Sequence, residues 1–438
     1  MMFTYYLQLA LKSLRKTPFS TALMVIAIAC GIGISMTALT LNHVRANNPI
    51  PEKSAQLFSL QLQASGKDSS WTTSDNVPLQ ITYQDAVNIS RLLPEYNHTP
   101  MFKTSFAVRS LKPSFTPILK NARVTNRHFF SMFKLHFKYG STWSKAVDEN
   151  PANQVVIDEQ LNQKLFGGGD HVGEQIYLND EKFRIVGIIE HWQPAPKFYD
   201  LNNGAFDKAE QIFVPISLTT STELNSSGNN NSWKNERVNT YKEKLASEML
   251  WLQYWFELPN QQAQDKAEQV LDGYIAQQKK LGRYERDDAR AELQNVVQWL
   301  AYRKVVDDDS NVLVGVSFLF LSVCLVNTIG LLLAKFLRSA PNVGVRRALG
   351  ASKGQVFAQH LVEVGVLGFL GGLVGLIFAQ IGLTILKTQF DGYDVLASMD
   401  LTMLFAAPVI AITATVLAGI YPAWRVCSTL PSIYLKTQ

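Results

Sequence analysis

Four blocks of the chain, near residues 19–41, 312–334, 361–386 and 401–421, are almost wholly apolar. At 1.5 Å per residue each is long enough to cross about 30 Å of hydrocarbon as a helix. They predict transmembrane helices at 18–43, 311–335, 353–387 and 401–422. Ahead of the first block, apolar side chains recur at positions 3, 6, 7, 10, 11 and 14 with cations on another side. That is the pattern of an amphipathic helix on a membrane surface, spanning 1–17. Between the first two blocks lies a polar stretch, 44–310, of α/β texture. Alternation over Leu57–Leu62 and Phe102–Val108 predicts strands, with a helix between them opening at Thr82. The same order recurs late: a strand over Leu250–Glu257, a helix over Gln261–Lys280 with apolar positions 263, 267, 270, 271, 274 and 275, and a strand over Leu293–Trp299. A β-rich subdomain inserted at about 145–240 carries further strand patterns at Gln154–Asp158, Gly173–Leu178 and Phe183–Ile189. Ser221–Asn235 is a polar, low-complexity loop, expected as a solvated insertion.

The second and third spans are joined by a short basic segment. Pro341 suits a helix start, Gly350 a left-handed helix end, and Ser352 with Gln355 a capping box. The expected structure is a short helix at the membrane face, a turn, and then the third span. A short loop at 388–400 and a tail at 423–438 complete the pattern.

Charge orients the spans. With only 18% charged residues and a mean hydropathy near zero, the composition is not that of an ordinary soluble protein. Lys12, Arg15, Lys16, Lys335, Arg338, Arg346, Arg347, Lys353, Arg425 and Lys436 flank the spans on one side, with no acid among them. The positive-inside rule places both termini and the 336–352 segment in the cytoplasm. Without those ten cations, 31 basic residues face 36 acidic ones, so the net charge of +5 reports topology and not nucleic-acid binding. Cys30 and Cys324 fall in spans and Cys427 beside one. The external region therefore holds no disulfide.

Catalytic signatures are missing. No GxxxxGK[ST] phosphate loop occurs, and Gly167-Gly168-Gly169-Asp170 lacks the lysine one would need. His128, His136, His171 and His191 stand outside metal-ligand spacing, and no HExxH or Gly-x-Ser-x-Gly motif appears. No metal or cofactor is expected on the chain, and it is expected not to be an enzyme. Glu363 is an acid inside the third span, where one at the helix centre costs about 2.5–3.5 kcal/mol. It is expected to reach the headgroups or a cation such as Lys353 or Arg425, with a proton relay as the alternative. Gly368 with Gly372, and Gly371 with Gly375, form small-x-x-x-small pairs suited to packing between spans or to a dimer seam.

The string Val343-Gly344-Val345-Arg346-Arg347-Ala348-Leu349-Gly350-Ala351, followed by Gln359-His360-Leu361-Val362-Glu363 and the glycine-rich span, resembles the coupling region of the MacB/FtsX/LolE family of ABC-transporter permeases. Gly419–Arg425 and Leu430–Lys436 resemble that family's closing pattern, and Val155–Ile189 its external domain. Asn342 stands where members usually carry a glutamate. The resemblance implies a four-span permease in the bacterial inner membrane, with a large periplasmic domain made of a two-part membrane-proximal α/β subdomain and an inserted β-rich one. No ATPase domain is fused within these residues. ATP and Mg would be held by separate ATPase subunits that dock on Val343–Gly350, with Val343, Val345 and Leu349 giving apolar contact and Arg346 and Arg347 charge.

A second permease chain, identical or different, would complete a dimer, with membrane lipids around it. A periplasmic adaptor and an outer-membrane channel would accompany an exporter. The function implied is mechanotransmission: ATP-driven motion carried across the membrane to the periplasmic domain, driving efflux of peptides, antibiotics, toxins or similar amphiphiles. The alternatives are a LolC/LolE-like lipoprotein-extraction permease and an FtsX-like signalling permease that regulates a cell-wall hydrolase.

Overall fold

The structure, a computed structural model, describes residues 2–67, 69, 76–111, 116–305, 308–389 and 401–428. The chain divides into two compact units, Met1–Ala46 with Val306–Gln438, and Asn47–Val305. The first begins with α1 (Met2–Lys16) and α2 (Pro18–Ala46). The amphipathic pattern becomes α1, and Thr17-Pro18 ends it, because proline suits the first turn of the next helix.

In the second unit, β1 (Leu57–Leu62), α3 (Tyr83–Leu92) and β2 (Asn97–Ser110) form the first strand–helix–strand element. Thr82 caps α3 by accepting from the Asp85 amide at 3.1 Å, so the helix opens at the expected residue. There follow β3 (Ile118–Thr125), α4 (His128–Met132), β4 (Phe137–Gly140), α5 (Lys145–Glu149), β5 (Gln154–Asp158), α6 (Glu159–Phe166), β6 (Gln175–Leu178), β7 (Glu181–Ile189), a 3-10 turn (Phe198–Asn203) and β8 (Ile212–Pro215). The unit closes with α7 (Leu218–Ser221), β9 (Asn231–Ser232), α8 (Tyr241–Ala246), β10 (Met249–Leu250), β11 (Gln253–Glu257), α9 (Gln261–Lys280), β12 (Ala291–Asn295) and α10 (Val296–Tyr302).

Ten strands form one mixed sheet in the order β12-β1-β11-β2-β3-β8-β5-β7-β4. The tenth, β6, pairs with both β2 and β7, which closes β2, β3, β8, β5, β7 and β6 into a six-stranded ring. A ring this small is filled by side chains. Alternation does the filling: Val155, Ile157, Phe183, Ile185, Ile212 and Val214 share one core, while Val156 and Phe213 point to another. The inserted stretch 145–240 supplies four of the six strands, β5 to β8. Gly187 in β7 is a glycine because a Cβ there would meet the Phe137 ring at 2.6 Å and the Ser141 carbonyl at 2.5 Å. On β1 and β11, α3 and α9 cover the face that continues the first core. The opposite face is covered by aromatic residues of α4 and the 3-10 turn, with Phe129 edge-on to Phe133 at 4.8 Å.

Two expectations change here. Leu293–Trp299 is a strand only as far as Asn295, where the Asn295/Gln298 capping box starts α10. Alternating apolar residues concealed that cap. The loop 221–235 is tied down at several places: Asn231 and Ser232 pair with Leu250 and Met249, the Ser227 amide donates to the Lys103 carbonyl at 2.7 Å, and the Asn229 amide donates to Asn203 Oδ1 at 2.7 Å.

Back in the first unit, the described residues further include α11 (Asp308–Ala348), α12 (Lys353–Gln389) and α13 (Leu401–Cys427). With α2 they are four helices long and apolar enough to cross a membrane. The separate short helix expected from Pro341 does not form. Pro341 lies inside a continuous 41-residue α11, so the second span and the segment after it are one rod. Proline frees the carbonyl four residues back, a defect that is tolerated in a helix emerging into water. The expected loop 388–400 falls, from residue 390, outside the described residues, as does the tail from 429 with its Leu430–Lys436 pattern.

Candidate functional site

The end of α11 is built as a rigid turn. Gly350 has φ +105°, and the amides of Gly350 and Ala351 donate to the carbonyls of Arg347 and Arg346 at 3.1 Å each. This is a Schellman closure, and glycine meets its left-handed requirement. At once Ser352 and Gln355 exchange hydrogen bonds, the Ser352 amide to Gln355 Oε1 at 3.0 Å and the Gln355 amide to Ser352 Oγ at 3.2 Å. The capping box read from the sequence therefore starts α12.

The side chains around this turn divide into two groups. Val343 is buried in the helical core and Gly344 is also buried, so Val343 offers no outward contact. Val345 is 50% and Leu349 84% exposed, and with Pro341 and Ala348, also exposed, they make an apolar stripe at helical spacing. Arg346 donates to Gln359 Oε1 on α12 at 2.7 Å, and Arg347 to the Cys427 carbonyl on α13 at 3.3 Å. The arginines thus tie the tip of α11 to two other helices.

The glycine pairs of α12 face two neighbours. A Cβ on Gly371 would meet Ile28 of α2 at 2.5 Å, and one on Gly375 would meet Ile32 at 2.8 Å and the Ala29 carbonyl at 3.2 Å. Gly368 lies against Thr415 of α13, and a Cβ on Gly372 would meet Ala411 at 2.9 Å and Pro408 at 3.1 Å. Both pairs therefore hold α12 within its own bundle.

Glu363 is 2% exposed and is met by neither Lys353 nor Arg425, both of which are exposed. Its Oε1 accepts from Ser13 Oγ of α1 at 2.6 Å and lies 2.7 Å from Lys335 Nζ of α11. Lys335 counted in the sequence only as one more cation of the inner face. Its depth becomes visible once α11 is seen to be continuous.

A second charged cluster lies in the α/β unit and had no sequence signal, because its members are spread from 123 to 253. Arg123 of β3, fully buried, donates to Asp200 and to Glu210, the latter at 2.6 Å. Lys197 Nζ and Tyr199 Oη donate to Glu210 at 2.7 and 2.8 Å, and Gln253 donates to Asp200 at 2.9 Å. Burial by itself would raise the Glu210 carboxyl, but Arg123 and Lys197 outweigh it and hold the group well below the glutamate range. His191 lies 3.3 Å from Asp158, the residue that caps α6, and forms no wider cluster.

Residues 21–274 match the family model of the MacB-like periplasmic core domain, and residues 314–431 that of the FtsX-like permease C-terminal. The macrolide export ATP-binding/permease protein MacB of Bradyrhizobium diazoefficiens is 21% identical over 438 residues, covering 99% of this chain and 60% of the relative. The pyoverdine export ATP-binding/permease protein PvdT of Pseudomonas syringae pv. tomato is 23% identical over 324 residues, covering 71% of this chain and 42% of the relative. The chain thus spans about half the length of these curated relatives. The crystal structure of the periplasmic region of MacB from Actinobacillus actinomycetemcomitans overlays 56% of this chain and 92% of its own, at TM-score 0.35 and 13% identity. With one family model over the α/β unit and the other over the last three helices, the chain belongs to the MacB/FtsX-like family of ABC-transporter permeases, as a membrane protein with a large periplasmic domain.

Proposed function

We propose that the chain is the permease part of a MacB-like ABC transporter, and that an ATPase docks on the exposed tip of α11. The observation that carries this reading is the apolar stripe of Pro341, Val345, Ala348 and Leu349 on a turn made rigid by two caps. Leu349, at a basic, membrane-flanking turn, buries little surface against the described residues of the chain. It suits an apolar cleft in a partner, and Arg346 and Arg347 would pass the load to α12 and α13. The ATP site lies outside these 438 residues, since they contain no phosphate loop.

The basic ends of the helices support a cytoplasmic tip and a periplasmic α/β unit. Motion of the rod α11 would then reach the periplasmic side without cargo crossing between the spans. Relatives named for export of macrolides and pyoverdine support amphiphile efflux as the work done. A second permease chain fits the exposed face of α11, where Val312, Val316, Leu319, Val323 and Val326 recur at heptad spacing.

The test is co-purification of the nanodisc-embedded chain with its ATPase, comparing wild type with Leu349→Glu. We expect a loss of about 1.4 kcal/mol or more in docking, at least tenfold in affinity, with unchanged stability of the chain because Leu349 is 84% exposed. An ATPase that binds and hydrolyses equally well with Leu349→Glu would sink the assignment.

A further inference from the structure

The carboxylate of Glu363 has two oxygens in different situations. Oε1 takes both the Ser13 hydroxyl and the Lys335 ammonium. Oε2 is approached by His360, one turn earlier on α12, whose Nδ1 is 3.6 Å away, beyond hydrogen-bond reach. His360 is 4% exposed, its ring lies 4.2 Å from that of Phe336, and neither ring nitrogen has a hydrogen-bond partner among the described residues. Buried imidazoles are ordinarily satisfied, so an unpartnered one aimed at a half-used carboxylate calls for a reason. The Lys335 ammonium lies 2.7 Å from Oε1.

We infer that His360 is the reserve counter-ion of Glu363: when Lys335 is drawn off the carboxylate, the imidazole takes up a proton and holds Glu363 in its place. A buried carboxylate cannot be left unpaired cheaply, and Lys335 and Glu363 sit on different helices, so any sliding of α11 against α12 threatens the pair. His360 shares a helix with Glu363 and travels with it. The exchange balances: one proton from cytoplasmic water adds to the Nδ1 lone pair, Lys335 keeps its own proton, and no covalent bond breaks.

Among the described residues, the other charges on the cytoplasmic half of the bundle are exposed or engaged elsewhere. Between Pro18 and Asn42, α2 has no ionisable side chain except Cys30, and the only charge on α13 is the exposed Arg425. On α1, Lys12, Arg15 and Lys16 are exposed, as are Arg338 on α11 and Lys353 on α12. Arg346 and Arg347 are engaged by Gln359 and the Cys427 carbonyl. Separation of the two helices is thereby linked to uptake of one proton and becomes easier as pH falls. This holds whether or not an ATPase supplies the motion.

Solid-state NMR of the full chain in lipid bilayers, with 15N-histidine, reads the protonation of His360, whose signal is identified by its loss in His360→Gln. In Lys335→Met the protonation midpoint of His360 should rise by at least one pH unit, a tenfold gain in proton affinity. It should fall back in Lys335→Met/Glu363→Gln. Should the methionine variant fail to fold, Lys335→Gln carries the same comparison with a polar head in place. A midpoint unmoved by loss of Lys335, or raised and still high without Glu363, overturns the inference.

Discussion

Arg123→Leu is expected to lower the stability of the α/β unit by about 3–5 kcal/mol, the range for breaking a buried ion pair from one side. The guanidinium is fully buried between Asp200 and Glu210, and its loss leaves two carboxylates facing a single remaining cation, Lys197. In a domain of this size each kcal/mol moves the thermal midpoint by roughly 2–4 °C, so a fall of about 6–20 °C should follow. Proteolysis of the full chain against temperature measures it. Arg109→Leu is the control: its partner Asp180 is 3.9 Å away and fully exposed, so a loss below about 1 kcal/mol is expected. The cluster also sets a pH dependence. The Glu210 carboxyl is depressed in the folded state, so its contribution is complete above the ordinary glutamate value of 4.5 and is lost as pH falls below it. Glu210→Gln should flatten that acid limb, and a limb of unchanged steepness would move the acid sensitivity to other groups.

That cluster marks where sequence reading reaches its limit. Periodicity and caps are local, and they located most helices and strands, from Thr82 at the head of α3 to the Ser352–Gln355 box at the head of α12. Pro341 misled because its local preference is for a helix start, whereas the helix already running from Asp308 carries straight through it. Val343 illustrates the same gap. The motif string is the same whichever face is outward, and only the packing of α11 shows that Val343 is inside while Val345 and Leu349 are outside. Lys335, 28 positions from Glu363, has no signal of pairing in a single sequence. The six-stranded ring is of this kind too, since its closure depends on β6 meeting β2 across more than sixty residues of chain.

Gly371→Leu/Gly375→Leu tests the bundle in the same spirit, and it decides between two uses of one motif. If the pair formed a seam with another chain, leucines would project into space left open by this one. Instead they would be driven into Ile28, Ile32 and the backbone of Ala29 on α2. Overpacking costs about 1–3 kcal/mol at each site when neighbours can shift, and a carbonyl 3.2 Å from a single added carbon leaves little to shift. We therefore expect the double variant to lose about 2–6 kcal/mol in a detergent-unfolding titration of the single chain. Gly315→Leu on α11 is the complementary change, because a Cβ there meets nothing within 4 Å. That residue borders the heptad face, so its leucine should leave the chain's own stability unchanged and act, if anywhere, on association of two permease chains. Normal stability of Gly371→Leu/Gly375→Leu with loss of the dimer would reverse the roles of the two faces. The two variants together thus separate the surface that builds the chain from the surface proposed to pair it.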